Sequence, residues 1–177
     1  AIVATYEAVA IILYLSLSFS ICIFIMRSAL SAKGELTIPK KYDGEPVVGI
    51  FAYAFEGCTE LTKVVLPSTI TEIGEYAFFY CTNLKDIELP EALTSVKKQC
   101  FSYCVNAFGD TLVIPDKVET IGWGAFYGVQ TPKVLKLGKG LKSIGEQAFN
   151  TCCKIETLTI PSNVKEIGES AFENCYI

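Results

Sequence analysis

The sequence contains no histidine, and its charged residues are few and nearly balanced in sign. Histidine is the commonest general base and the commonest protein ligand of metals, so its absence removes the simplest catalytic and metal sites. The 15 basic residues against 19 acidic ones give a net charge of -4, which offers no basic stripe for a nucleic-acid backbone. Charged residues make up 19% of the chain and hydrophobic ones 51%, which excludes a disordered protein. We therefore expect a folded protein that does not bind nucleic acid.

Spaced motifs for catalysis or metal binding are also missing. Without histidine, a nucleophile and its base would have to come from Cys, Lys, Asp or Glu, and none of these forms a spaced motif. The segment LGKGLKS around Gly138 has the wrong glycine spacing for a phosphate-binding loop. No two cysteines are separated by two residues, and Cys100/Cys104 and Cys152/Cys153 lack partners for a zinc site. The sequence predicts no enzymatic activity, no metal and no cofactor.

What the sequence does contain is one short unit repeated six times. A small residue followed by Phe recurs at steps of 23, 23, 25, 23 and 23 residues: Ala54-Phe55, Ala77-Phe78, Cys100-Phe101, Ala125-Phe126, Ala148-Phe149 and Ala171-Phe172. A strand-breaking residue lies ten positions upstream of the last five small residues: Pro67, Pro90, Pro115, Gly138 and Pro161. The first unit instead has Pro39, fifteen positions upstream, with Lys40–Pro46 holding the five additional residues.

Apolar residues occupy fixed columns within each unit. Before the breaker they form the period-2 pairs of a short strand with one buried face: Leu36/Ile38, Val64/Leu66, Ile87/Leu89, Leu112/Ile114, Leu135/Leu137 and Leu158/Ile160. After the breaker come Val47/Ile50, Ile70/Ile73, Leu93/Val96, Val118/Ile121, Leu141/Ile144 and Val164/Ile167. Four residues past the small residue stands Cys58, Cys81, Cys104, Cys152 or Cys175, with Val129 in the fourth unit.

These columns predict a mainly β repeat solenoid. One coil of 23 residues cannot bury its own apolar stripe, whereas identical coils stacked side by side bury it continuously. Each column then becomes a ladder along the stack. Glycine recurs at Gly74, Gly122, Gly145 and Gly168, where we expect a tight turn or a positive φ. The third unit has Lys97 in this column. Either the turn of this unit differs, or glycine is favoured but not required at this position.

Segments such as LTKVVLPSTITEIGEYAFFYC and IETLTIPSNVKEIGESAFENC resemble the BspA-type leucine-rich repeat. The resemblance covers Glu35 to Cys175, and the third and fourth units depart from it through Cys100, Val129 and two extra residues in Val105–Thr111. These departures predict a local bulge within the same fold. The resemblance implies a right-handed coil stack with a ladder of short parallel strands on a concave face. By analogy it also implies surface-exposed proteins of bacteria or protists that act in adhesion and protein binding.

The cysteine column has two interpretations. Equivalent residues of adjacent coils lie about 4.7–4.9 Å apart, which is compatible with disulfides such as Cys58 to Cys81. A free cysteine, however, is among the most buried residue types and packs as a small hydrophobe, and Val129 in the same column supports packing. We favour a ladder of buried thiols, with disulfides as the alternative.

The first 32 residues are predicted to form a separate apolar segment before the repeat domain at 33–177. Residues 8–26 carry no charge, and their length just reaches that of a membrane-spanning helix, so membrane contact through this segment is one interpretation. A signal peptide is another, although Glu7 stands where basic residues are expected. The strict alternation from Leu15 to Ile21 favours a third, a β-type cap on the first coil. All three remain open at this stage.

The side chains between the buried strand residues are predicted to line one exposed face. Leaving aside Glu35 and Thr37 of the first unit, this row is the candidate protein-binding surface: Lys63, Val65, Asp86, Glu88, Thr111, Val113, Val134, Lys136, Thr157 and Thr159. It mixes both charge signs, threonines and valines, and no aromatic cluster marks a hot spot within it. A merely solvated sheet face is the alternative.

We expect the protein to bind a protein partner at the cell surface or after secretion, in adhesion or in interaction with a host. The second hypothesis is an architectural spacer or stalk in a longer surface protein whose binding site lies elsewhere. Because the last unit has no polar closing element, its strand edge would be open to pairing, and we expect the natural protein to continue beyond it.

Overall fold

Short strands, stacked coil upon coil, account for the regular structure. The structure is a computed structural model that describes residues 32–176, together with the main chain of residues 11–12 and 23–25. These ranges contain no α-helix, hence none long and apolar enough to span a membrane. The strands are β1 Ile11–Ile12, β2 Ile23–Ile25, β3 Gly34–Thr37, β4 Lys41–Tyr42, β5 Glu45–Ile50, β6 Leu61–Val65, β7 Glu72–Ile73, β8 Asp86–Ile87, β9 Ser95–Val96, β10 Thr111–Val113, β11 Thr120–Ile121, β12 Val134–Lys136, β13 Ser143–Ile144, β14 Thr157–Thr159 and β15 Glu166–Ile167.

The predicted solenoid of six coils is confirmed. We number the coils by residues: 33–60, 61–83, 84–108, 109–131, 132–154 and 155–176. Each coil gives one strand to a front sheet before its breaker and one to a side sheet after it. In the front sheet, β3, β6 and β8 pair in parallel, as do β10, β12 and β14. In the side sheet, β5 pairs with β7, and β9, β11, β13 and β15 form a second parallel group.

The third side of the solenoid, here called the turn face, holds the turns around the Ala-Phe landmark. Its coils are joined by main-chain hydrogen bonds from each of the first five landmark phenylalanines to the small residue of the next coil. The N–H of Phe78 donates to the carbonyl of Cys100 at 2.9 Å, and the N–H of Phe149 donates to that of Ala171 at 2.8 Å. The turn face is therefore continuous from the first coil to the sixth.

The core consists of the columns read from the sequence. The six landmark phenylalanines stack ring on ring, with neighbouring centroids 5.1–5.6 Å apart and planes within 13° of parallel. Burial of a Phe side chain contributes about 1.5–3 kcal/mol. Among the residues of the strand columns, burial is incomplete at six: Leu66, Leu137, Leu158 and Val164 are half-buried, and Ile160 and Ile167 of the sixth coil are exposed. No further coil packs on those two within the described residues.

Of the two alternatives expected at the recurrent glycines, the tight turn is observed and the positive φ is not: each glycine carbonyl accepts a hydrogen bond from the N–H three residues later, at 3.2–3.3 Å. Gly74, Gly122, Gly145 and Gly168 all lie outside the positive-φ set. A Cβ atom at any of them would lie 2.2–2.7 Å from main-chain atoms of the preceding coil, closer than real Cβ contacts allow. The column needs glycine because two backbones approach closely there, not because of its torsion angles.

Lys97, the exception in this column, coincides with a break in the side sheet. Each of the four glycines donates its N–H to the preceding coil, for example Gly74 to the carbonyl of Ile50 at 2.8 Å. Within residues 32–176, Lys97 makes no such bond to the second coil, and β7 does not pair with β9. A side chain at this position keeps the two backbones apart, so the sheet is interrupted where the glycine is missing.

The main chain of the N-terminal segment contributes two of the strands. β1 pairs antiparallel with β2, and β2 pairs in parallel with β5 of the first coil. The additional residues of the first unit form the β4–β5 hairpin, with Asp43 and Gly44 at positive φ in its turn. The rest of residues 1–31 lies outside the described residues, so the membrane, signal and cap interpretations of residues 8–26 and the boundary at residue 32 stay predictions.

Candidate protein-binding surface

The front sheet brings the ten row residues to one face of the solenoid. Strand register places equivalent side chains of adjacent coils side by side, as in Lys63 beside Asp86. In the fourth to sixth coils the register aligns two further lines of neighbouring side chains: Thr111, Val134 and Thr157 in one, and Val113, Lys136 and Thr159 in the other. All ten alternate with the column of inward-facing apolar residues, so they face away from the core. Lys63 and Val134 are half-buried and the others exposed: Val65, Asp86, Glu88, Thr111, Val113, Lys136, Thr157 and Thr159.

Charge is unevenly distributed along this face. The first three coils carry Glu35, Lys63, Asp86 and Glu88, whereas Lys136 is the one charged row residue of the last three. The Lys63 Nζ lies 2.5 Å from the Asp86 carboxylate, and this hydrogen-bonded carboxylate raises the pKa of Lys63. An exposed pair of this kind contributes little to stability. The face therefore has an acidic end and a nearly neutral end, the latter lined by threonine and valine.

The row is interrupted between β8 and β10, a break in the front sheet. The two extra residues of the third coil are Phe108 and Gly109, since Ala107 keeps the position and the turn hydrogen bond of Leu84. Phe108 turns into the core and is only 8% exposed. Its ring contacts those of Phe101 and Phe126 edge-on, at 5.3 and 5.7 Å between centroids. Phe108 and Gly109 both have positive φ, 71° and 54°. The expected bulge thus carries an extra aromatic ring into the stack, and within the described residues no strand pairs with the facing edges of β8 and β10.

A groove of about 640 Å³ lies at this break. Its walls are the chain from Lys85 to Leu89 on one side and from Gly109 to Val113 on the other, with Phe108 and Glu91 also exposed to it. Four of the predicted row residues line it: Asp86, Glu88, Thr111 and Val113. Sequence reasoning identified the extra residues but missed the groove, because the period alone does not show where a bulge opens the stack.

A second exposed surface, on the turn face, was not predicted. Tyr53, Tyr80, Tyr103 and Trp123 are all 38–49% exposed, and three of them are tyrosines at positive φ. Such a conformation is uncommon for a bulky side chain. Positive φ recurs at two positions of the coil: the residue immediately before the landmark small residue, and the second residue after the landmark Phe. Glycine stands at these positions in other coils, as Gly57, Gly124 and Gly128.

The aromatic rings of the turn face pack on one another. Tyr53 stacks on Tyr76 at 5.0 Å, and Tyr103 lies 5.9 Å from Tyr80. The Nζ of Lys98 lies over both Tyr76 and the Trp123 ring, 5.7 and 5.0 Å from their centroids. These contacts join neighbouring coils, so the aromatic side chains of the turn face have a structural role.

The cysteine column is part of the core, and its predicted burial is confirmed for Cys58, Cys81, Cys104 and Cys152. The thiols of Cys81, Cys104 and Cys152 donate to the landmark Phe carbonyl of the preceding coil at 3.0–3.3 Å, and the half-buried Cys175 does the same. Burial raises the pKa of the Cys58 thiol to about 11. None of the seven described cysteines forms a disulfide, and no group of three metal-ligating side chains occurs in the same part of the chain.

Known proteins share both the repeat and the coil stack. A family model described as "BspA type Leucine rich repeat region" matches residues 48–177 in six copies. A leucine-rich repeat protein of T. pallidum is 33% identical, with a TM-score of 0.59 over 87% of this chain and 60% of that one. A leucine-rich cell surface protein of Faecalibacterium prausnitzii is 25% identical, with a TM-score of 0.71 over 97% of this chain and 52% of that one.

The pneumococcal vaccine antigen PcpA has the same fold. It is 21% identical, with a TM-score of 0.69 over 94% of this chain and 48% of that one. The chain thus spans about half to three fifths of the length of these three solved structures. No curated protein sequence matches the chain significantly.

Proposed function

Because the chain belongs to the BspA-type leucine-rich repeat family, we propose that it is a protein-binding module that uses the exposed face of its front sheet. Leucine-rich repeat modules of this kind typically bind other proteins and are not enzymes. Inward-facing apolar residues hold the front sheet to the core, which leaves the alternate side chains available to a partner. Binding through such a sheet needs no rearrangement of the fold.

One observation carries the proposal: the ten row residues lie on one face, in two groups on either side of the break between β8 and β10, and Val65 and Val113 are 43% and 47% exposed there. Apolar side chains spaced between charged and hydroxyl-bearing ones suit a partner that combines burial with hydrogen bonding. Single exposed valines are ordinary in any protein, so it is their alignment in a fixed row that supports binding.

The proposed location is the cell surface, or outside the cell after secretion, with a role in adhesion or in contact with a host. The F. prausnitzii protein is described as a cell surface protein, and the pneumococcal protein as a vaccine antigen. We extend the surface location to this chain on the basis of the shared repeat.

The test is binding of the full chain, immobilised on a sensor, to a panel of purified cell-surface and extracellular-matrix proteins. Two variants alter the row. The first is a triple variant that combines Asp86→Lys, Glu88→Lys and Lys136→Glu, and the second is a double variant that combines Lys136→Glu and Thr159→Lys. We expect each to weaken binding of a partner at least tenfold, because a like charge is brought against the partner's complementary surface.

The control exchanges an ion pair on the side sheet, Glu119→Lys with Lys142→Glu, whose Nζ and carboxylate lie 2.8 Å apart. Its partner affinity should equal that of the unaltered chain. If the panel bound equally well to all three variants, the front sheet would not be the binding face. If no member bound, the alternative role as an architectural spacer or stalk would be favoured.

A further inference from the structure

The break between β8 and β10 leaves two strand edges that face each other without main-chain hydrogen bonds. Within the described residues, no such bond joins residues 84–93 to residues 107–118. The same two coils are bonded normally elsewhere: β9 pairs with β11 in the side sheet, and the N–H of Phe101 donates to the carbonyl of Ala125 at 2.8 Å. The opening is therefore confined to the front sheet, on the face that the partner is proposed to contact.

The fold itself keeps the groove open. Phe108 fills part of the core between the third and fourth coils and is almost wholly buried, so closing the two edges would require displacing a packed ring. Displacing a buried aromatic side chain is strongly unfavourable. The groove is consequently a preformed feature, and its volume of about 640 Å³ lies within the usual range of ligand-binding clefts.

The side chains around the groove are predominantly acidic. Asp86, Glu88 and Glu91 contribute carboxylates and Lys85 the single ammonium group, while Lys63, which bonds Asp86, lies on the neighbouring coil. The equivalents of Glu88 and Glu91 in the fifth coil are Lys136 and Lys139, so this acidic character belongs to the third coil and not to the repeat. Apolar surface is also present, from Leu89, Phe108 and Val113.

We propose that this groove binds an extended, basic segment of the partner protein, which aligns along the open strand edges. Main-chain groups of the segment bond to the free edges of β8 and β10, as when a peptide adds a strand to a sheet. Because side chains alternate along a strand, apolar ones face the core side of the groove, toward Leu89 and Phe108, while lysines or arginines lie on the exposed side with Glu88 and Glu91. This inference rests on the proposed function, since the groove is part of the same face.

The first test uses a fluorescein-labelled peptide, Thr-Val-Lys-Val-Lys-Thr, titrated with the full chain and followed by fluorescence anisotropy. Two comparison peptides have Glu in place of Lys, or N-methyl groups on the two Val residues that remove main-chain donors. Both should bind at least tenfold more weakly than the lysine peptide. Equal binding of the N-methylated peptide would overturn strand-like binding, and equal binding of the glutamate peptide would overturn the role of the carboxylates.

The matched protein variants place the site. Glu88→Lys with Glu91→Lys should weaken binding of the lysine peptide at least tenfold. Glu119→Lys with Glu169→Lys makes the same change of net charge at exposed positions away from the groove and should leave the affinity within twofold. If the second pair weakened binding as much as the first, the peptide would be responding to overall charge, and the proposal would fail.

A closed variant tests the groove itself. Deleting Ala107 and Phe108 and changing Gly109→Leu restores the 23-residue step and puts an apolar residue where the preceding coil has Leu84. We expect it to pair β8 with β10, to retain cooperative unfolding and to lose peptide binding at least tenfold. Unchanged peptide binding by the folded variant would overturn the proposal. If this variant does not fold, the charge variants and the N-methylated peptide decide the question.

The outcomes also separate this inference from the proposed function. Suppose that a partner protein no longer binds the variant Lys136→Glu with Thr159→Lys, but still binds the closed variant and the variant Glu88→Lys with Glu91→Lys. This result would support binding by the front face and overturn binding in the groove. Conversely, the lysine peptide could bind the unaltered chain but not the closed variant, while the row variants leave binding of every partner protein unchanged. This result would support binding in the groove and contradict binding by the whole front face.

Discussion

The third and fifth coils differ in how completely they join their neighbours. In the fifth coil, β12 pairs with strands on both sides in the front sheet, and β13 does so in the side sheet. In the third coil, β8 pairs only with β6 and β9 only with β11 among the described strands. Both coils contribute a landmark Phe to the same ring stack.

The difference has two local causes, one at each side of the third coil. Lys97 stands where the fifth coil has Gly145, and there β9 does not pair with β7 of the second coil. The extra residues Phe108 and Gly109 interrupt the front sheet between β8 and β10 of the fourth coil. A repeat protein can therefore lose pairing on one face at a time, because the core columns and the turn face still hold the coils together.

The largest effects should come from the Phe stack and should differ between the two coils. We expect Phe149→Ala to cost about 3–5 kcal/mol, because it leaves a cavity in a well-packed coil. Phe101→Ala should cost about 3 kcal/mol, the lower end of that range, since the neighbouring Phe108 ring can shift into the space. Equilibrium unfolding in urea measures both. A larger loss at position 101 would show that the third coil is packed as rigidly as the fifth.

An intermediate effect is expected from the glycine column. Gly145→Ala puts a Cβ 2.7 Å from main-chain atoms of Gly122 and Trp123 and should cost about 1–3 kcal/mol, as overpacking does. Lys97→Ala at the equivalent position is the control and should change stability by less than about 1 kcal/mol, because it removes only an exposed pair with Glu72. The free energies of unfolding of the two variants check this. Equal losses would contradict the close-approach explanation.

The smallest effect concerns the pH dependence of stability and Cys100, the cysteine of the third coil that lies outside the cysteine column. Cys100 stands where the fifth coil has Ala148, and burial raises its pKa well above the usual 9.0. A pKa raised by folding gives stability that is complete below the unfolded value and is lost as pH rises through the folded one. Unfolding midpoints from pH 7.5 to 10.5 should therefore fall less steeply in Cys100→Ala than in the unaltered chain. Parallel curves would contradict a raised pKa of the Cys100 thiol in the folded chain, because groups common to both proteins affect both curves equally.

The candidate surface was predicted in part. Period-2 alternation in each strand placed the ten row residues on one face because side-chain direction in a strand follows from the sequence alone. The groove could not be found this way. Its existence depends on Phe108 turning inward, and an inserted residue can equally well turn outward without changing the length of the repeat.

The sequence by itself determined the solenoid, its coil length and its ladders of Phe and Cys, because stacking in a repeat protein couples each residue mainly to its equivalent one period away. Only the tertiary structure decided where neighbouring backbones approach and where they separate. That distance gave the glycines their role and opened the groove beside Glu88. The physical reason is that backbone approach depends on the packing of two coils against each other, which no single repeat encodes.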